Sequence, residues 1–173
     1  GVMPGRLRSD DQTVSAAVPA FMDALAALDV PDGAVAESGK LTLIGRRHLR
    51  TNNSWLANSH RLTKGPNRCT LMIHPDDAAA LGLEDGDQAT VRSASGEIAL
   101  PAEVTDDMMP GTVSIPHGWG HDLPGMAMQV ARSRAGVSAN VLTESGALDP
   151  LSGNAALSGV QVEVARAELA AAE

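Results

Sequence analysis

Residues 38–75 hold seven of the chain's 13 Lys and Arg and no acidic residue. The seven are Lys40, Arg46, Arg47, Arg50, Arg61, Lys64 and Arg68, accompanied by His48, His60 and His74. All 21 Asp and Glu lie in the other 135 residues, and the net charge is −8. Cations gathered without counter-charges repel each other, so a fold that keeps them together is suited to hold an anion. Guanidinium groups fit phosphate because two parallel N–H groups can bond it at once.

The most pointed stretch is Gly45-Arg-Arg-His-Leu-Arg-Thr-Asn-Asn-Ser54. It follows a short apolar strand, and loops at strand ends commonly carry function. Arg46, Arg47 and Arg50 offer three guanidiniums and His48 an imidazole. Thr51, Asn52, Asn53 and Ser54 add small donors and acceptors able to read a heterocycle edge. Gly45 would let a ligand approach the backbone closely. The plain alternative is a solvated basic loop. A second loop, Pro116-His-Gly-Trp-Gly-His-Asp122, has two glycines that would turn backbone N–H groups toward a ligand, with Trp119 packed beneath. His117 and His121 are four apart, as in helical zinc pairs. The glycines argue against a helix and no third ligand is evident, so no metal site is expected. A hydrolase built on Ser114 or Ser152 with His117 lacks the Gly-x-Ser-x-Gly elbow. The glycine-rich phosphate motifs of nucleotide-binding folds are also missing, so an anion site here must be of another type.

The elements that must position these loops read as short strands. Leu41–Ile44, Cys69–Ile73, Gln88–Ala94, Glu97–Val104, Thr112–Ile115 and Val160–Val164 are predicted strands, with a hairpin turn at Ser95-Gly96. Ala139–Thr143 reads as a further strand. His74–Gly82 reads as a short helix, with Pro75 in its first turn and Gly82 at its cap. Val14–Leu28 shows apolar residues at helical spacing and is expected to pack against the main domain. Residues 31–39 are linker-like and Ala165–Glu173 is alanine-rich. The expected architecture is mainly β with short helices, a small barrel rather than a doubly wound sheet.

A chain of 173 residues can bury one proper core. Its single cysteine, Cys69, excludes a disulfide framework and reads as a small buried residue. The acidic bulk argues against nucleic-acid partners, and two Trp, one Phe and no Tyr leave no base-stacking platform. No apolar run approaches a membrane span. The start, Gly1-Val-Met-Pro-Gly5, does not read as a secretory signal, and the expected location is cytoplasmic.

Several pieces occur in a telling order: Gly45-Arg followed by Asn53-Ser-Trp55; Ile73-His-Pro-Asp-Asp-Ala78; Leu81-Gly-Leu-Glu-Asp-Gly-Asp87; Gly96-Glu-Ile98; Met109-Pro-Gly-Thr-Val113; Pro116-His-Gly-Trp-Gly120; Asn140-Val-Leu-Thr143; and Asp149-Pro-Leu-Ser-Gly153. Together, over about residues 40–165, they resemble the C-terminal molybdopterin guanine dinucleotide-binding domain of the molybdopterin oxidoreductase (dimethyl sulfoxide reductase) family. Its formate-dehydrogenase-like and nitrate-reductase-like members are the nearest in type. The resemblance implies a double-psi β-barrel of the aspartate decarboxylase-like kind. It divides the chain into an N-terminal helical extension and linker (1–38), a dinucleotide-binding barrel (39–166) and a tail (167–173). It implies a bis-(molybdopterin guanine dinucleotide) cofactor, bis-MGD, with molybdenum or tungsten. By this resemblance the cofactor-binding residues are Gly45, Arg46, Arg47, His48, Arg50, Thr51, Asn52, Asn53, Ser54, His117, Gly118, Trp119 and Asn140. The metal ligand and any iron–sulfur cluster belong to other domains, so no catalytic residue and no metal ligand is expected here. The implied partners are the remaining domains of a parent oxidoreductase, and the piece alone should not turn over. Many relatives carry Lys or Arg near 157–159, where this chain has Ser158. The rival reading is a stand-alone double-psi barrel that binds a nucleotide or protein partner without redox activity.

Overall fold

The computed structural model describes residues 4–28 and 39–167. Most of the predicted linker and nearly all of the tail fall outside the described residues. Six strands carry the fold: β1 (Leu41–Arg46), β2 (Leu71–Ile73), β3 (Gln88–Arg92), β4 (Glu97–Val104), β5 (Thr112–Pro116) and β6 (Val160–Arg166). They close into a barrel in the order β1-β5-β2-β4-β3-β6. Two neighbouring pairs run parallel, β1 with β5 (Leu43 opposite Val113) and β2 with β4 (Leu71 opposite Ala102). The seam is antiparallel, with Leu41 opposite Val162. Closure leaves no open sheet edge. This is the double-psi β-barrel, mainly β with short helices, that the motif order implied.

Alternation explains the core. Ala89 and Val91 of β3, Ile98, Leu100 and Ala102 of β4, and Val162 and Val164 of β6 are buried, and polar residues fill many of the intervening positions. Strand β5, which lies between β1 and β2, is buried along its whole length. Cys69 is buried in the same cluster as Leu71, Ile73 and Val113, as a small apolar residue. Helix α2 (Pro75–Ala80) starts where the sequence places it. His74 caps it by accepting from the Asp76 N–H, and Gly82 follows at φ +65°.

Two expectations need correction. The segment 139–143 is not a strand but a 3-10 turn, Ala139–Leu142. Ala139 and Leu142 are buried while Asn140 and Val141 are exposed, a three-residue spacing that a strand's two-residue alternation cannot produce. The first helix, α1 (Pro19–Ala26), is shorter than the apolar pattern 14–28. Pro19 occupies its first turn, and the residue before a proline is pushed out of helical conformation; Val18 is extended. No residue of α1 is buried: Phe21 is 55% and Leu25 61% exposed.

By its internal contacts the chain divides into two units. One comprises residues up to Ala34 together with Asp149–Asn154. In the latter stretch Asp149 accepts from the N–H and hydroxyl of Ser152. The other, Val35–Leu148 with Ala155–Glu173, contains the barrel and both clefts described below.

Candidate functional site

Strand β1 ends at Arg46 and Arg47 follows it, and the two arginines have different surroundings. The Arg46 guanidinium turns toward the barrel, donating to the Ser114 carbonyl (2.5 Å), the Thr70 carbonyl (2.8 Å) and the Thr70 hydroxyl (2.7 Å). That hydroxyl in turn donates to the Glu103 carboxylate. Burial lowers the Arg46 pKa and the charge of Glu103 opposes the shift. Arg46 therefore fastens β1 to β5 and to the chain entering β2, and it does not face an open cleft. Arg47 does. Its Nη1 donates to Asn53 Oδ1 at 2.6 Å, and its side chain forms one wall of a cleft of about 450 Å³.

The long basic segment after Arg47 is a chain of turns. The N–H groups of Thr51 and Asn52 donate to the His48 carbonyl, Leu56 to Thr51, Ala57 to Ser54 and Ser59 to Leu56. Asn52 and Asn53 adopt positive φ (43° and 59°), which asparagine tolerates better than most residues. This turn carries the Asn53 backbone up to Gly118. A Cβ on Gly118 would lie 1.8 Å from the Asn53 carbonyl oxygen, and its φ is +86°, so only glycine serves there. The sequence suggested glycines opened toward a ligand. At Gly118 the space is instead occupied by the other loop, and the two loops meet backbone to backbone. Gly45 behaves similarly. A Cβ there would stand 2.2 Å from His117 Nε2, so the neighbour that needs the space is an imidazole of the chain itself.

The first cleft is also lined by Ser54, His117 and Trp119 and by Ser138 to Asn140. Among the described residues no carboxylate lines it. Burial, and then Arg47, push the His117 pKa below its ordinary value. His121 is buried and its Nε2 lies 2.9 Å from the Gly118 carbonyl, which steadies the loop. The Trp119 Nε1–H is buried and has no partner among the described residues. Ser158 sits close by in sequence to the lining residue Leu157, and its hydroxyl accepts from the Gly45 N–H at 3.2 Å, so it ties the closing segment to the end of β1.

Of the residues singled out by sequence, Arg47, Asn53, Ser54, His117, Gly118, Trp119 and Asn140 are brought together around the cleft. Gly45, Arg46, His48, Arg50, Thr51 and Asn52 do not line it. Thr51 is buried and its hydroxyl donates to the His48 carbonyl. The Arg50 N–H donates to His48 Nδ1. Burial first, then Arg68, Arg46 and Arg50, lower the His48 pKa. Ser138, Ala139, Leu157 and His121 also line the cleft. Sequence reasoning considered His121 only as a metal ligand and passed over the others. Ser138 and Ala139 immediately precede Asn140, and that adjacency was the available signal.

Comparisons with known proteins bear on this geometry. Residues 41–161 match the family described as the molydopterin dinucleotide binding domain. The dimethyl sulfoxide/trimethylamine N-oxide reductase of Rhodobacter capsulatus is 34% identical over 108 residues, 60% of this chain and 12% of that protein. The F420-dependent formate dehydrogenase subunit alpha of Methanocaldococcus jannaschii is 46% identical over 44 residues, 25% of this chain and 6% of that protein. Among solved structures, the acetylene hydratase of Pelobacter acetylenicus superposes with a TM-score of 0.56 at 22% identity, over 75% of this chain and 19% of that one, which concerns the fold alone. The chain spans only 6–15% of the length of the curated relatives it matches. The family match runs from the first residue of β1 into β6 and takes in both loops of the cleft. The chain therefore belongs to the molydopterin dinucleotide binding domain family, the module of dimethyl sulfoxide reductase-type molybdopterin oxidoreductases.

Proposed function

We propose that this chain is the part of a larger molybdopterin oxidoreductase that grips the dinucleotide portion of its cofactor, and that the grip is the cleft between residues 47–54 and 117–121. The observation that carries this reading is the donor set. Arg47, two imidazoles, Asn53, Ser54, Ser138 and Asn140 converge on about 450 Å³ without a carboxylate. A buried indole N–H nearby lacks a partner. An anionic ligand rich in acceptors fits such a wall, and a cationic or apolar one does not. In this reading Arg47 offsets diphosphate charge. Asn53, Ser54 and Asn140 bond the guanine or pterin edges, and His117 adds a hydrogen bond. Arg46 supports them without touching the ligand.

The cofactor, when bound, supplies the redox chemistry through its metal and dithiolene, and this chain supplies binding, orientation and electrostatics. The guanine base, a second dinucleotide and the choice of molybdenum or tungsten are carried over from the motif resemblance. The parent's substrate class is read from three of the relatives aligned over more than half of this chain, whose names are N-oxide and sulfoxide reductases, although an NADH-quinone oxidoreductase subunit aligns over a similar share. A formate-dehydrogenase-like parent is the second reading, favoured by the short, more identical stretch shared with the formate dehydrogenase subunit.

The test uses the full-length parent enzyme with Arg47→Ala and His117→Ala combined. Metal by elemental analysis and pterin by fluorescence should both fall severalfold against the parent enzyme, with the protein still folded. Wild-type metal and pterin content in that variant would sink the proposal. It would then favour a barrel that binds some other partner.

A further inference from the structure

Trp119 is shared by two clefts. The second, of about 290 Å³, is walled by Thr63, Asn67, Arg68, Ser133, Arg134 and Gly136 along with the indole. The Cε3 edge of Trp119 lies against Gly136, where an added Cβ would stand 3.0 Å away. Two guanidiniums reach this cleft from separate segments. Arg68 Nη2 donates to the Lys64 carbonyl and Arg134 Nη1 to the Gly65 carbonyl, each at 2.8 Å. Two arginines are thus pinned to consecutive carbonyls of one turn, and each commits a single nitrogen to the backbone. The turn is built for this approach: a Cβ on Gly65 would sit 2.8 Å from Arg68 Nη2.

No carboxylate lines the cleft, and among the described residues neither arginine has an ion pair. Like charges held side by side repel, and the backbone carbonyls supply only partial compensation. The positive field extends beyond the cleft, since Arg68 together with Arg46 and Arg50 adds to the lowering of the His48 pKa. Paired guanidiniums with free N–H groups, set in a concave wall without acids, are the arrangement that binds phosphoryl oxygens bidentately.

We propose that the cleft between Arg68 and Arg134 is a second anion site, distinct from the cleft of Arg47, and that it takes a phosphate or diphosphate group. The inference does not depend on what fills the first cleft. The phosphoryl group has two sources, a separate small phosphate or the far end of a ligand that also occupies the first cleft.

The experiment titrates inorganic pyrophosphate into the chain while following the Nε–H signals of Arg68 and Arg134 and the indole N–H of Trp119 by NMR. The exposed Trp55 serves as an internal reference. Saturable shifts at Arg68 and Arg134 are expected. Arg134→Gln should weaken binding about tenfold or more, because a charge-assisted bond is lost. Arg47→Gln should change the affinity for pyrophosphate at this cleft by less than about twofold, since Arg47 does not line it. Unmoved Arg68 and Arg134 signals, or unchanged affinity in Arg134→Gln, would overturn the proposal. Repeating the titration with guanosine diphosphate separates the sources. Non-additive losses in the Arg47→Gln and Arg134→Gln pair mean one ligand spans both clefts, and additive losses mean two separate anions. Either result keeps the second site.

Discussion

Arg46 and Arg47 are neighbours in the chain and opposites in setting. Successive residues leave a strand on opposite sides, so one guanidinium is spent on Ser114 and Thr70 while the other reaches the cleft. The type of residue said "arginine" twice, and only the strand's geometry distinguishes support from contact. Arg46→Ala strips three donors from partly buried acceptors and leaves Glu103 without its nearby cation. It should lower the free energy of unfolding by about 2–3 kcal/mol. Arg47→Ala removes one bond to an exposed asparagine and should cost less than about 0.5 kcal/mol. Urea denaturation of the two variants checks this. Equal losses would mean that Arg46 is not the fastening described.

At the scale of elements, the barrel strands were legible because alternation of apolar and polar residues is a direct imprint of a two-faced ribbon. The hairpin 88–104 and helix α2 also carried their turn and cap residues in the sequence. The 3-10 turn at 139–142 was not legible. Its β-branched and apolar residues suit a strand equally well, and only the surrounding barrel decides that Ala139 and Leu142 are buried together. Half of the singled-out site residues reached the cleft. The rest went to holding the loops, because a residue's chemistry does not reveal which way its loop turns. Helix α1 carries a clear apolar stripe with no residue of its own buried. Replacing Phe21 and Leu25 by serine together should therefore leave the barrel's melting temperature within about 2 °C of the parent, as expected for exposed positions. A larger drop in a calorimetric scan would show that those side chains are covered in solution.

Taken as a whole, the molecule has a strongly uneven charge, and its response to acid follows from two histidines. His48 and His117 are held below their ordinary 6.5, chiefly by burial. An unfolded chain takes up protons at those positions as pH falls through about 6.5, and the folded chain resists until lower pH. Stability contributed in this way should decline as pH drops from about 7 and stop declining once pH is below the folded values. Asp11 and Asp149, held low mainly by the Thr13 and Ser152 side chains, act only nearer 3.8. His117→Asn should flatten part of the decline between about pH 7 and 5, read as the urea midpoint against pH. An unaltered slope would remove His117 from this account. The contact between Gly118 and Asn53 has a last consequence. Because the two loops interlock where neither has room for another atom, the mouth they frame is fixed before any guest arrives, and little ordering is left to oppose entry. The same interlock makes the pair a single heritable unit: a graft that swaps one loop for a cousin's must bring its mate along, or the keyhole will not form.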